Sequence, residues 1–131
     1  MKGFVEDIEH LTEANTDFRR VLYTGKHLQL VLMALRPGQD IGEEVHADHD
    51  QFFRVEDGEG EVWIDGVRSR IKSDDAVIVP AGARHNVINT GDEPLKLYTI
   101  YGPPDHRDGV VHATKAAAEA AEEHFDGVTT E

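Results

Sequence analysis

The segment from residue 38 to residue 51 carries side chains of the types that hold metal ions in proteins. Its sequence is GQDIGEEVHADHDQ, in which Glu44 stands two residues before His46. In a β-strand, residues i and i+2 point to the same face. An extended conformation would therefore aim a carboxylate and an imidazole the same way, which makes half of a chelating site. Gln51 starts the next predicted strand and can add an amide oxygen.

A second segment supplies another imidazole. His85 follows the turn-forming sequence PAGAR and begins a predicted strand, and such a turn can aim a side chain into the mouth of a barrel. The candidate set is then two nitrogen and two oxygen donors, from Glu44, His46, Gln51 and His85. Donors of these types suit Mn, Fe, Co, Ni or Zn and argue against Cu(I). Four protein ligands also leave octahedral positions open for water or a substrate.

The spacing of these residues resembles that of the cupins. The first cupin motif is a glycine, five residues, His-x-His, three or four residues, a glutamate, six residues and a glycine. In this chain it reads Gly38, five residues, Glu44-Val45-His46, four residues, Gln51, six residues and Gly58. The spacing matches throughout, but Glu44 stands in place of the first histidine and Gln51 in place of the glutamate.

The second cupin motif is also present with one change. It is a glycine, five residues, Pro-x-Gly, two residues, a histidine, three residues and an asparagine. Here it reads Asp74, five residues, Pro80-Ala81-Gly82, two residues, His85, three residues and Asn89, so only the opening glycine differs. The resemblance covers roughly residues 30–101.

The resemblance implies a fold and a cofactor. The fold would be all-β, a cupin jelly-roll barrel or sandwich, with a short N-terminal helical segment and a C-terminal helix or tail. The cofactor would be one divalent transition metal ion (Mn, Fe, Ni or Zn), bound by Glu44, His46, Gln51 and His85. Some cupins have lost their metal and keep only the cavity, so a metal-free pocket stays open as an alternative.

Other polar side chains near the motifs have less defined roles. His49 could replace Glu44 or Gln51 as a ligand, although we expect it in a loop that faces water. Glu43 has the wrong parity and should be solvated, as should Arg84. If the loop after the last strand folds across the barrel mouth, one of its flanking histidines could act as an acid or base. These and the remaining histidines have no spaced partners and are otherwise expected to be ordinary surface or packing residues: His10, His27, His106, His112 and His124.

The rest of the chain predicts the elements that position these residues. Short apolar runs separated by turn signals every 8–12 residues indicate a jelly roll, sandwich or small barrel. We expect Asp50–Val55 to pair with Glu61–Ile64 around the sequence DGEG. The other expected elements are a helix in Val5–Asn15, strands Leu28–Leu35, Val67–Ile71 (after a tight turn at Asp65-Gly66), Ala76–Val79, His85–Asn89 and Leu95–Tyr101, and a helix or mobile tail over Ala113–Phe125. Met33, Trp63, Tyr98 and Tyr101 could line the pocket, but we interpret them as core or interface residues.

Composition limits the possible partners. The 131 residues have a formal net charge of −13 and no cysteine, which argues against nucleic-acid or anionic-membrane binding and excludes disulfides and thiolate chemistry. We expect a single domain, 1–131, with a core barrel at about 17–103 and a C-terminal loop and helix at 104–131. Residues 1–10 lack the basic start and apolar middle of a signal peptide, so a cytoplasmic location is expected.

Three functions fit this sequence. The first is a metal-dependent enzyme on a small molecule, of dioxygenase or isomerase type. The second is a non-catalytic module that binds a small ligand or metal, and the third is a structural dimer with a vestigial pocket. Residues 28–35 are apolar on both faces apart from Gln29, so we expect a homodimer that pairs through this strand. The sequence alone leaves open whether the protein is an enzyme.

Overall fold

A computed structural model describes residues 1–121 and 123–131. Most of the regular structure is extended, and the two helices are short. The elements are α1 Ile8–Ala14, β1 Arg19–Thr24, β2 Gln29–Leu35, β3 Glu44–Val45, β4 Asp50–Asp57, β5 Glu59–Ile64, β6 Val67–Lys72, β7 Ala76–Val79, β8 Arg84–Ile88, β9 Leu95–Gly102, β10 Val111–His112 and α2 Lys115–Ala120. Neither helix in this part of the chain is long and apolar enough to cross a membrane.

The strands form two antiparallel sheets that enclose one apolar core. One sheet has the order β10-β1-β2-β9-β4-β7 and the other the order β3-β8-β5-β6. Alternate residues along each strand face inward, so that Met33, Leu97 and Val55 share a row on neighbouring strands β2, β9 and β4 and are fully buried. This arrangement confirms the predicted all-β jelly-roll class.

The predicted pairing of Asp50–Val55 with Glu61–Ile64 is wrong. Strand β4 pairs with β9 and β7, whereas β5 pairs with β6 and β8 in the other sheet. The chain changes sheets at Gly58, whose φ of +88° is in the left-handed region that favours glycine. The sequence DGEG therefore bends the chain between sheets and does not reverse it. The tight turn at Asp65-Gly66 does join β5 and β6 as predicted, with Ile64 opposite Val67.

The C-terminal part of the chain packs along the barrel. Helix α2 is shorter than the predicted Ala113–Phe125, and its N-cap is Thr114, whose hydroxyl accepts a hydrogen bond from the Ala117 amide at 3.1 Å. Strand β10 extends the larger sheet by pairing with β1. Near the end, the Thr130 amide donates to the Thr24 carbonyl at 2.9 Å, so the tail is docked against β1.

Two motif glycines provide a test of how tightly the sheets meet. Gly38 and Gly58 both have positive φ, but a Cβ on Gly58 would lie 2.5 Å from the Pro94 carbonyl oxygen, whereas one on Gly38 would meet nothing within 4 Å. We expect G38A to lower the free energy of unfolding by about 1–2 kcal/mol, for the backbone conformation alone. G58A should lower the free energy of unfolding by about 1–3 kcal/mol more than G38A does, because its Cβ would also overpack the contact with Pro94. Urea denaturation of both variants checks this, and equal losses would contradict the close approach.

Candidate metal site

Strand pairing brings Glu44 next to His85. Glu44 in β3 lies directly opposite His85 in β8, and side chains of such cross-strand partners share a face. His46 follows β3 immediately, and its Nε2 lies 2.7 Å from the Glu44 Oε2. The rings of His46 and His85 are 5.4 Å apart between centroids. The predicted parity of Glu44 and His46 thus holds, and both residues meet the histidine of the second motif.

Gln51 completes the group from the opposite sheet. Its Oε1 lies 3.2 Å from His85 Nε2, while its Nε2 donates to the Thr99 hydroxyl at 3.0 Å and so fixes the amide. His85 Nδ1 lies 3.1 Å from the Ala83 carbonyl oxygen, which can only accept a hydrogen bond. This contact places a proton on Nδ1, as in metal-ligating histidines. Nε2 faces the Gln51 Oε1, which can only accept a hydrogen bond, so in the neutral ring two lone pairs meet there and a bound cation would satisfy both. The structure therefore brings all four predicted residues together.

The donor atoms fit a divalent metal ion. The ligand atoms of Glu44, His46 and His85 all lie within 4.8 Å of one another. Ligands at about 2.1 Å from one ion lie about 3 Å from each other, so small shifts would suffice. His46 Nε2 is buried and has no hydrogen-bond partner among the described residues, although Glu44 is close, because the geometry is not that of a hydrogen bond. A metal ion shared with the Glu44 oxygen would satisfy this buried nitrogen.

The electrostatics of the site favour a cation. Burial works to raise the pKa of Glu44, but the contact with His46 and the charges of His46, Arg19 and His85 outweigh it and lower that pKa. The same contact, with the negative charges of Glu44 and Asp105, raises the pKa of His46 against the effect of burial. Glu44 is therefore ionised at neutral pH and supplies the negative charge of the donor set.

His49 does not face water as expected. Its Nε2 lies 3.0 Å from the Pro104 carbonyl oxygen and 3.8 Å from Asp105 Oδ1, and its ring packs edge-on against His46. Asp105 Oδ1 is in turn 4.0 Å from His46 Nδ1, on the side of the ring away from Glu44. Asp105 thus stands where a carboxylate can orient a ligating imidazole.

Gln29 anchors the loop that carries Asp105. Its side chain is fully buried, its Oε1 accepts from the Asp105 and His106 amides at 3.2 and 2.9 Å, and its Nε2 donates to the His106 carbonyl at 2.7 Å. A lone polar residue in an otherwise apolar strand was the sequence signal for this role. The loop after β9 therefore folds back over the site.

The folded loop places His106 in a buried chain of hydrogen bonds, so that of the two expected positions, surface or packing, it takes the second. His106 Nε2 is 3.3 Å from the Tyr101 hydroxyl, and its Nδ1 is 2.9 Å from Glu123 Oε1. Burial raises the pKa of Tyr101, so the phenol stays protonated. Burial also works to raise the pKa of Glu123, but hydrogen bonds from His106 and the Arg107 amide lower it to about 2. No pattern in the sequence indicated Glu123, which is 17 positions from His106 along the chain.

Several other residues considered from the sequence lie outside the site. Glu43 is exposed and pairs with Arg84 at 3.0 Å on the outer surface. Trp63 and Tyr98 are on outer faces, where Trp63 stacks under Arg68 and Tyr98 packs against Phe52, whereas Met33 is in the core. Asn89 braces a turn, since its side chain donates to the Leu35 and Glu93 carbonyls.

The Glu123 carboxylate should make stability depend on pH. Its pKa in the folded chain, about 2, is below its usual value of 4.5, so its contribution is fully present above that value and is lost as the pH falls toward 2. We expect E123Q to be less stable than the parent chain by about 1–3 kcal/mol at pH 7. The difference should shrink between about pH 5 and pH 2.5.

Urea denaturation at a series of pH values measures this difference, and E119Q, which removes an exposed carboxylate from α2, is the matched control. If E123Q is as stable as the parent chain at neutral pH, Glu123 does not anchor the C-terminal segment.

Comparisons with known proteins agree with this fold. The chain is 50% identical over 128 residues to the uncharacterized protein YrkC of Bacillus subtilis, covering 93% of this chain and 69% of that protein. It is 28% identical over 119 residues to the polyketide synthase protein CurC of Streptomyces cyaneus, covering 86% of this chain and 76% of that protein. The crystal structure of BH2720 from Bacillus halodurans superposes with a TM-score of 0.90 at 49% identity, covering 92% of this chain and 96% of that one.

A family-level match covers the same part of the chain as the two motifs. Residues 31–101 fit the family described as "Cupin domain". This span begins in β2, ends in β9 and contains all four candidate ligands. On the evidence of this match, the relatives and the fold, the chain belongs to the cupin family.

Proposed function

We propose that this cupin binds one divalent transition metal ion through Glu44, His46, Gln51 and His85. The observation that carries the proposal is the convergence of these donors from β3, β4 and β8, with the Nε2 of His46 buried and without a hydrogen-bond partner among the described residues. The donor set suits Mn, Fe, Ni or Zn. When bound, such an ion would polarise a small-molecule ligand or activate water.

We further propose that the site acts on a small molecule, as an enzyme of dioxygenase or isomerase type. Side chains beside the candidate ligands support this function, because they include a proton donor. Tyr101 is a neutral phenol whose hydroxyl contacts His106, and its ring packs against His46. It can donate a hydrogen bond to a bound ligand, while His106 and Glu123 orient it.

The non-catalytic alternatives make different predictions. A binding module would hold metal and ligand without forming product, and a structural dimer would be indifferent to loss of the metal. We also propose a homodimer and a cytoplasmic location. Strand β2 lies between β1 and β9, so a second chain could contact residues 28–35 through the face of the sheet and not by pairing along that strand. The net charge of −13 continues to argue against nucleic acid as a partner.

The metal site can be tested by elemental analysis. Untagged protein purified without chelator should contain about one transition metal ion per chain, or take up one on addition of Mn, Fe, Ni or Zn. The double variant H46A/H85A should retain less than about a tenth of that metal, because it removes both nitrogen donors. Plasma mass spectrometry measures the metal, and circular dichroism checks that the β structure persists.

The matched control removes two histidines elsewhere. His10 and His27 are both exposed, so H10A/H27A should keep the full metal content. Stoichiometric metal in H46A/H85A would refute the site. The absence of metal from the parent chain, with none taken up on addition, would favour a metal-free binding module.

A further inference from the structure

Arg19 is a buried cation inside the barrel. It lies on β1 opposite Met33 of β2 and His112 of β10, and it is only 8% exposed. Cross-strand partners share a face, so Arg19 is on the inward face with the fully buried Met33. Its neighbour Arg20 points outward, where it pairs with Asp17 at 3.1 Å. The two arginines of one strand therefore have opposite environments.

Arg19 has no anionic partner within the described residues. Its Nε is buried without a hydrogen-bond partner, and no described carboxylate forms an ion pair with it at 4.0 Å or less. Its Cζ lies 5.5 Å from the ring centroid of Phe18, which is the contact that the structure shows for its charge. The opposite residue, His112, also has a buried Nε2 without a hydrogen-bond partner there. Burial of an arginine is costly unless an acceptor is supplied.

The guanidinium shares the electrostatic environment of the candidate metal site. Burial and several local contacts set the pKa of Glu44 and of Glu123, and the positive charge of Arg19 contributes to lowering both. Glu44 is a candidate metal ligand, and Glu123 contacts His106 above Tyr101. Geometry gives the same neighbourhood, because Arg19 lies opposite His112, whose Nε2 is 3.8 Å from Glu123 Oε1.

We propose that Arg19 receives the carboxylate of a small monoanionic ligand. This inference rests on the proposed function and names the substrate class of that site. A guanidinium presents parallel N–H donors that match a carboxylate, whereas the buried Nε of Arg19 has no acceptor within the described chain. His112, on the adjacent strand, is positioned to assist.

The charges near the site favour one negative charge on the ligand. Three carboxylates, those of Glu44, Asp105 and Glu123, contact histidines in or near the candidate metal site. Arg19 is a single cation, so a doubly charged phosphate would be repelled by these groups more strongly than a monocarboxylate. A ligand with one carboxylate could contact Arg19 and still direct another group toward Glu44 and His46.

A purely structural role for Arg19 would be to balance the charges of Glu44 and Glu123. That role predicts a loss of stability in R19Q and no specific anion binding. It also predicts that E123Q leaves any anion response unchanged. An anion site predicts instead that E123Q binds carboxylates more tightly, because one repelling charge is gone.

The experiment follows the side-chain Nε–H resonances of the ¹⁵N-labelled full chain by NMR. Sodium acetate and sodium benzoate are titrated, with sodium chloride and sodium phosphate at matched ionic strength as references. The Arg19 signal is identified by its absence in R19K. Each titration is done on metal-free protein and on protein with one equivalent of Zn²⁺, so that failure to bind zinc leaves the Arg19 response readable.

We expect acetate and benzoate to shift the Arg19 Nε–H signal saturably, and chloride and phosphate to leave it in place. R19Q should bind the carboxylates at least about tenfold more weakly, as judged from neighbouring amide signals. R20Q, on the same strand but outside the barrel, should titrate like the parent chain. No saturable carboxylate shift in either metal state, or an equal response to chloride, would overturn the proposal.

Discussion

Buried polar groups inside an otherwise apolar barrel need partners, and this requirement governs where each part of the molecule lies. Strand β9 shows how the interior is divided. Its inward residues run from Leu95 and Leu97 through Thr99 to Tyr101, from apolar to polar. The pairing of β2 and β4 with β9 continues this division, because Gln29 and Gln51 both lie opposite Tyr101. A shift of one residue in this register would turn the polar row outward and abolish the site.

The polar row also determines the path of the chain beyond the barrel. Because the Gln29 amide is satisfied by residues 105 and 106, the loop after β9 must return over the site. His106 is then buried and needs its own acceptor, which Glu123 provides from beyond α2. Each buried group thus fixes the position of the next segment. The C-terminal part of the chain therefore contributes Glu123 to the polar groups beside the candidate metal site.

Local sequence patterns predicted the candidate ligands. The buried polar residues around them depend on long-range packing, which those patterns do not contain. The parity of Glu44 and His46 is a local property of two residues that are two positions apart in extended chain, so spacing was enough to place them. Asp74, where the second motif has glycine, keeps the left-handed conformation with a φ of +76°, so the motif geometry survives the change. In contrast, the roles of Arg19 and His106 depend on which strands and segments pack against them. No local pattern carries that information, and the same is true of the sheet change at Gly58.

The four candidate ligands differ in how near they lie to water. The Glu44 side chain is 32% exposed and that of His46 is 14%, whereas Gln51 and His85 are buried. An ion leaving such a group would exchange Glu44 for water first and the deeper donors last. The rate of metal exchange would therefore depend mainly on one carboxylate, while the choice of metal would depend on the buried donors. Kinetic lability and selectivity would then reside in different residues, so that a substitution at position 44 could change one and leave the other intact.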